Sequence, residues 1–356
     1  MKIFVSGSSG FLGSAVTNEL ARRGHEVIAL DNELKRSGEE SYLEEVILGS
    51  EGLLEEGELE ETDETVVLEG EEPPGETVSL PGQIRYFYGD LSDARIEREL
   101  KNCDKIISLT KPFSEEKDIP EDEISEYGKK HARDVVSLLQ KAAGGKAKTA
   151  IITYHTLCLG NRGEAEVSEV DAMNPAGFCR PLEGSFESIT QAGKEAGMKL
   201  VSLYPSMVYG PEGWFKNLVN NIVYGKAKIV EPGDNYLSLL HIDDLAGLYA
   251  EIAERIDEDA MYILSGLAPV TQKEMVVEIA GLLGAPVPQT VDFETYARKF
   301  GRLSAESMSA SIKVNAQKVL DDTGYSLKFP NCKAGIPQVL REMGFEIGGQ
   351  QFKRAA

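Results

Sequence analysis

The sequence has no run of eighteen or more apolar residues, so nothing in it reads as a membrane-spanning helix. The opening MKIFVSG is too short for the apolar region of a secretory leader and reads as a buried strand. A cytoplasmic location is expected. Clustered cysteine is also missing. Cys103, Cys158, Cys179 and Cys332 stand far apart with no C-x-x-C spacing, which argues against a disulfide scaffold or a thiolate metal site. His25, His131, His155 and His241 are equally scattered, and no metal site is expected. Positive charge is scarce. The formal net charge of −22 disfavours nucleic acid and anionic membrane surfaces, which need a basic footprint. Residues 38 to 82 contain sixteen acids and no base, so much of the imbalance is local.

What is present is a rhythm. KIFVSG reads as a strand, GFLGSAVTNELARRG as a helix with Leu12, Val16 and Leu20 on one face, and HEVIALDN as a second strand. The rhythm breaks after Asn32, where ETVVLEGEEPPGETVSLP suggests an acidic hairpin around a Pro-Pro-Gly turn. It resumes with the strands QIRYFYGDL, KIISLT, TAIITYHTLCLG and KLVSLYPSMVYGP, alternating with helices over ARIERELKN, ISEYGKKHARDVVSLLQKAA and SFESITQAGKEAG. This alternation predicts an α/β fold, a Rossmann-type doubly wound parallel sheet with a smaller C-terminal α/β substrate lobe and an acidic insertion. The expected division is 1–210 for the dinucleotide-binding domain, interrupted by the insertion at about 37–82. Residues 211–346 form the smaller lobe, with some crossing of chain between lobes, and 347–356 a tail.

Gly7, Gly10 and Gly13 form G-S-S-G-F-L-G between the first strand and the first helix. Glycines there permit a tight turn and let backbone N–H groups of Ser9, Gly10, Phe11 and Leu12 approach a pyrophosphate at the helix N-terminus. Asp31 closes the second strand, where a carboxylate accepts from both adenosine ribose hydroxyls and repels a 2′-phosphate. NAD is therefore expected as cofactor. NADP is the weaker alternative, kept open by nearby Lys35 and Arg36.

With G-x-x-G-x-x-G, LDN at Leu30 to Asn32, GDLSD at Gly89 to Asp93, PSMVYGP and LLHIDDLA, the chain resembles the extended short-chain dehydrogenase/reductase family, in its NAD-dependent epimerase/dehydratase branch. The resemblance runs from Met1 to about Met343, interrupted by the acidic block. It implies that Asn32, Asp90 and Leu91 border the adenosine, that Leu109 and Lys111 lie along the cofactor, and that Pro205 and Val208 line the nicotinamide. It also implies a catalytic Tyr-x-x-x-Lys at the start of a helix. Aligned on Pro175 in NPAGFCRPL, that pair falls on Phe178 and Leu182, which have neither an ionisable proton nor a donor. The one literal Tyr-x-x-x-Lys, Tyr224 to Lys228, follows a helix of the second lobe and is discounted.

The substitute acid/base expected from the sequence is His155 or Tyr154, at the mouth of the fifth strand, with Thr156 at the family's Ser/Thr position. His155 is expected to titrate near neutrality. Cys179 has no adjacent base and reads as an inert thiol. Arg180 suits either an anion clamp or the surface. His241, Asp243 and Asp244 read as lobe packing, and Trp214 and Phe215 as ligand-facing or core. Tyr204 stands where many of the family have arginine. Two functions stay open. One is an oxidoreductase acting on a nucleotide sugar or another small hydroxyl or carbonyl compound through a non-standard acid/base. The other is an inactive NAD-binding sensor or assembly protein docking through its acidic insertion. A homodimer is expected, with the insertion touching a subunit or a basic partner.

Overall fold

The structure is a computed structural model that describes residues 1–31, 83–89, 91–110 and 124–347. Asn32, Asp90, Lys111, the acidic insertion and the tail beyond 347 lie outside the described residues.

Seven parallel strands form the central sheet: β1 (Lys2–Ser6), β2 (Glu26–Asp31), β3 (Ile84–Tyr88), β4 (Lys105–Ser108), β5 (Thr149–Thr153), β6 (Lys199–Pro205) and β7 (Ala260–Leu264). Their spatial order is β7-β6-β5-β4-β1-β2-β3, and every neighbouring pair is parallel. Interior strands such as TAIIT are buried at every position, as expected when helices cover both faces. On one face lie α1 (Phe11–Arg22) and, returning from the far end of the sequence, a long helix at Ile242–Arg255. On the other lie α2 (Ala94–Lys101), α3 (Ile124–Ala142) and α4 (Ser185–Ala196). The sequence rhythm ended the sheet at KLVSLYPSMVYGP. The structure adds AMYIL, residues 260–264, beside β6. The strand before it, Leu239–His241, pairs with Met207–Tyr209 outside the central sheet, so the local order does not announce where AMYIL pairs.

A separate apolar cluster joins α5 (Gly213–Val223) to the helices at Gln272–Leu283 and Cys332–Glu342. Trp214 and Phe215 belong to it, with the Trp214 indole N–H donating to the Val208 carbonyl. His241 Nδ1 accepts from the Asp243 amide at 3.1 Å, capping the 242–255 helix. Asp244, wholly buried, accepts from the Lys328 and Phe329 amides and the Tyr325 hydroxyl. Asp244 therefore stitches the 242–255 helix to the 325–329 segment.

One local difference matters for the site. NPAGFCRPL was expected to open a helix. Instead Gly177–Leu182 is a separate 3₁₀ turn, and α4 begins only at Ser185. Pro181 supplies no N–H to an α-helical ladder, and Gly184 takes φ 81°, so the chain breaks between the two.

Candidate functional site

The sheet's order reverses at β1, which has β4 on one side and β2 on the other. A crevice at the carboxyl ends of the strands is expected at such a point. The glycine loop sits there. Gly7 has φ 77°, and a Cβ on it would stand 2.8 Å from the Leu109 carbonyl oxygen. A Cβ on Gly13 would stand 2.0 Å from the Gly7 oxygen, so this glycine lets α1 pack against the turn. Gly10 differs. A Cβ there would meet nothing nearer than the Gly7 oxygen at 3.9 Å, and the helix it caps has no side-chain cap. The first amides of a helix lack intrahelical partners, so the positive end of the α1 dipole lies beside this open position. A pyrophosphate fits that cradle. The Ser9 amide donates to Asp31 Oδ2 at 2.8 Å, fixing the carboxylate at the rim of β2.

The structure brings Gly7, Ser9, Gly10, Gly13, Asp31 and Leu109 together at this crevice. The Phe11 ring lies where a Cβ on Gly210 would stand, so the glycine loop also meets the turn after Val208. Leu12 packs into the core beneath α1, and Leu91 against the opposite cluster. Val208 is buried and paired with Leu240, with Pro205 at the end of β6.

The substitute acid/base residues are placed less favourably. The His155 Nδ1 accepts from the Leu157 amide at 3.0 Å, capping the 3₁₀ turn Thr156–Leu159. In the neutral ring this leaves the proton on Nε2. Burial pushes the imidazole down to about 4, so His155 is uncharged at neutral pH and does not titrate there as expected. Thr156 is buried within that turn. Tyr154 follows the period-two alternation of β5 and points into the core under α3 and α4. Its ring stacks on Tyr204 with centroids 5.1 Å apart, and burial raises both phenols well above their ordinary value. The expectation that Tyr154 stands at the mouth of β5 is corrected. It lines a groove of about 760 Å³ along the β6–β7 edge, with Lys194, Ser202 and Met261.

The Gly177–Leu182 turn is clamped from two sides. A Cβ on Gly128 of α3 would overlap the Pro181 carbonyl. The Phe178 amide donates to Ser307 Oγ at 3.0 Å, and Arg180 Nη1 reaches both Glu306 oxygens at 2.8 and 2.9 Å. Arg180 is thus an ion-pair strut to the Arg302–Ser309 helix. Leu182 and Cys179 are wholly buried and Phe178 nearly so. Burial and the neighbouring Cys158 raise the Cys179 thiol well above its ordinary value, as an inert thiol requires.

Residues 3–139 match the sequence profile of the NAD dependent epimerase/dehydratase family. Among curated proteins no sequence matches. Solved structures extend the likeness of fold to the whole chain. The UDP-glucuronic acid 4-epimerase of Bacillus cereus, in complex with UDP-glucuronic acid and NAD, is 14% identical with TM-score 0.69, covering 96% of this chain and 99% of its own. The dTDP-glucose 4,6-dehydratase DesIV of Streptomyces venezuelae, with NAD, is 18% identical with TM-score 0.69, covering 96% of each chain. The human epimerase family protein SDR39U1, with NADPH, is 17% identical with TM-score 0.65, covering 96% of this chain and 99% of its own. Among the described residues no metal-binding cluster occurs, and no helix is long and apolar enough to cross a membrane.

Phe178 and Leu182, on which the sequence resemblance places a tyrosine and a lysine, are packed apolar side chains. Leu182→Lys will therefore not restore a catalytic pair. An ammonium at this wholly buried position in an apolar cluster is desolvated, and the variant is expected to lose about 3 kcal/mol or more of stability. Urea unfolding of the variant measures it; an unchanged midpoint would mean that the side chain escapes to solvent. Gly128, Glu306 and Ser307, which hold the turn, were not found from sequence. Their contacts span more than fifty residues, and no local spacing signals them.

Proposed function

We propose that the chain binds NAD in the crevice at the β1–β4 reversal, with Gly10 under the diphosphate and Asp31 at the adenosine ribose. The observation that carries this reading is the uncapped N-terminus of α1 at Gly10, where a Cβ would meet nothing nearer than 3.9 Å, whereas one on Gly13 would collide with the turn. Asp31, fixed by the Ser9 amide, favours NAD over NADP by repelling a 2′-phosphate. The second ligand is a nucleotide sugar or another small hydroxyl or carbonyl compound, a class supported by the ligands of the epimerase and dehydratase of like fold.

Bound NAD would supply a hydride acceptor. The chain's own residues offer little to move the accompanying proton, because Phe178 and Leu182 are core side chains and Tyr154 is stacked beneath the sheet. We therefore favour a protein that holds NAD, and a sugar nucleotide beside it, without the family's tyrosine–lysine proton transfer. One observation favours an active oxidoreductase instead. His155, partly exposed at the end of β5, presents a neutral Nε2–H once Nδ1 is engaged. Calorimetric titration with NAD, followed by hydride-transfer assays with UDP- and dTDP-sugars, separates the readings. Binding without turnover is expected. Turnover that disappears in His155→Ala would establish the second reading, and absence of NAD binding would remove both.

A further inference from the structure

Three hydroxyls stand together at the carboxyl ends of β1 and β4. Ser6 and Ser108 are register partners across the two parallel strands, so their side chains share one face. Both are buried, at 9% and 1% exposure. Thr110, two residues beyond the end of β4, is only half-buried. Its Oγ1 lies 3.4 Å from Ser6 Oγ and 3.2 Å from Ser108 Oγ. Thr110 is held against the glycine loop, since a Cβ on Gly7 would stand 3.2 Å from the Thr110 nitrogen.

A hydroxyl has one proton to donate and two lone pairs that accept. Either oxygen of each pair can donate; when both buried serines do, they fill the acceptor sites of Thr110 Oγ1. The threonine's own proton is then directed outward, and donors linked in a chain polarise one another. The trio presents one strengthened donor at the crevice. Its place relative to the cradle decides what it meets. Asp31 ends β2, on one side of β1, and Thr110 follows β4, on the other. A dinucleotide with one ribose at Asp31 and its diphosphate over Gly10 must extend its second half across β4.

The geometry points to Thr110, backed by Ser6 and Ser108, as a hydrogen-bond donor to the second ribose of the dinucleotide, the one bearing the nicotinamide. This assignment rests on the NAD reading above and adds to it a contact on the half of the ligand where the lysine position is filled by Leu182.

The test compares three ligands by calorimetry: ADP, which lacks the second ribose, ADP-ribose, which has it without a base, and NAD. Thr110→Val keeps the shape and removes the hydroxyl. It is expected to weaken ADP-ribose and NAD about tenfold while leaving ADP unchanged, and Thr110→Ser is expected to restore both. Unchanged ADP affinity also reports that the variant is folded. The assignment is overturned if Thr110→Val binds NAD as the parent chain does, or if ADP weakens by the same factor. A parent chain that binds neither ADP nor NAD would instead remove the cofactor reading itself, so the two failures are distinct.

Discussion

Gly10→Ala will leave the unfolding midpoint nearly where it is and weaken NAD binding about a hundredfold or more, whereas Gly13→Ala will damage the fold itself. The two glycines lie three residues apart in one loop, and only their surroundings differ. Gly10 has φ −70° and ψ 167°, extended backbone that alanine adopts freely. A methyl there meets no protein atom closer than 3.9 Å. The small loss from placing alanine at an N-cap is offset by its narrower unfolded ensemble, so stability should stay within about 0.5 kcal/mol. The same methyl fills the space through which backbone N–H groups reach a diphosphate. On Gly13 the methyl would sit 2.0 Å from the Gly7 oxygen and 2.8 Å from the Ser8 Cα. Both are main-chain atoms, so α1 must move away from the turn, at a cost of about 3 kcal/mol. Thermal unfolding and calorimetry on both variants check the pair. NAD binding retained in Gly10→Ala would show that the cradle is not a dinucleotide site.

Acidification from pH 7.5 to 4 is expected to destabilise the chain in part through a buried residue, His131 of α3. It is 3% exposed, and among the described residues neither ring nitrogen has a hydrogen-bond partner. The Tyr154 ring lies edge-on to it at 6.5 Å. Burial lowers the imidazole from 6.5 to about 4. The unfolded chain therefore takes up this proton below about pH 6.5, while the folded chain resists it until about pH 4. Stability from the neutral ring is complete above the unfolded value and lost progressively as pH falls through this window. The loss amounts to roughly 3 kcal/mol at the acid end. His131→Leu keeps the apolar volume and removes the titration. Because no hydrogen bond is forfeited, the variant should match or exceed the parent at pH 7.5 and lose less on acidification. Urea midpoints at both ends of the window measure the difference; an equal acid loss in parent and variant would place its cause in other groups.

Most of the sheet was legible because its strands and helices alternate at short range. KIFVSG, GFLGSAVTNELARRG and HEVIALDN announce their own pairing, and the glycine spacing says which residue turns, which opens and which packs. Corrections fell where placement depends on a partner distant in sequence. AMYIL joined β6, sixty residues earlier in the chain, for a reason no local pattern contains. Tyr154 was expected at the mouth of β5, but strand alternation, with Tyr204 beside it, sends its ring into the core. His155 was expected to titrate near neutrality, and desolvation removed that property.

By itself the sequence determined the fold class, the glycine cradle, Asp31 at its rim and the absence of a tyrosine and a lysine from NPAGFCRPL. Each is a matter of residue type at short spacing, which local backbone sterics and periodicity convert into geometry. Only the tertiary structure decided what became of the vacated positions. Phe178 and Leu182 are packed, in a turn locked by Gly128, Glu306 and Ser307 from elements far away in the chain. Burial, and with it the ionisation of His131, His155 and Tyr154, is set by everything that surrounds a side chain in space, and neighbours in sequence account for little of that.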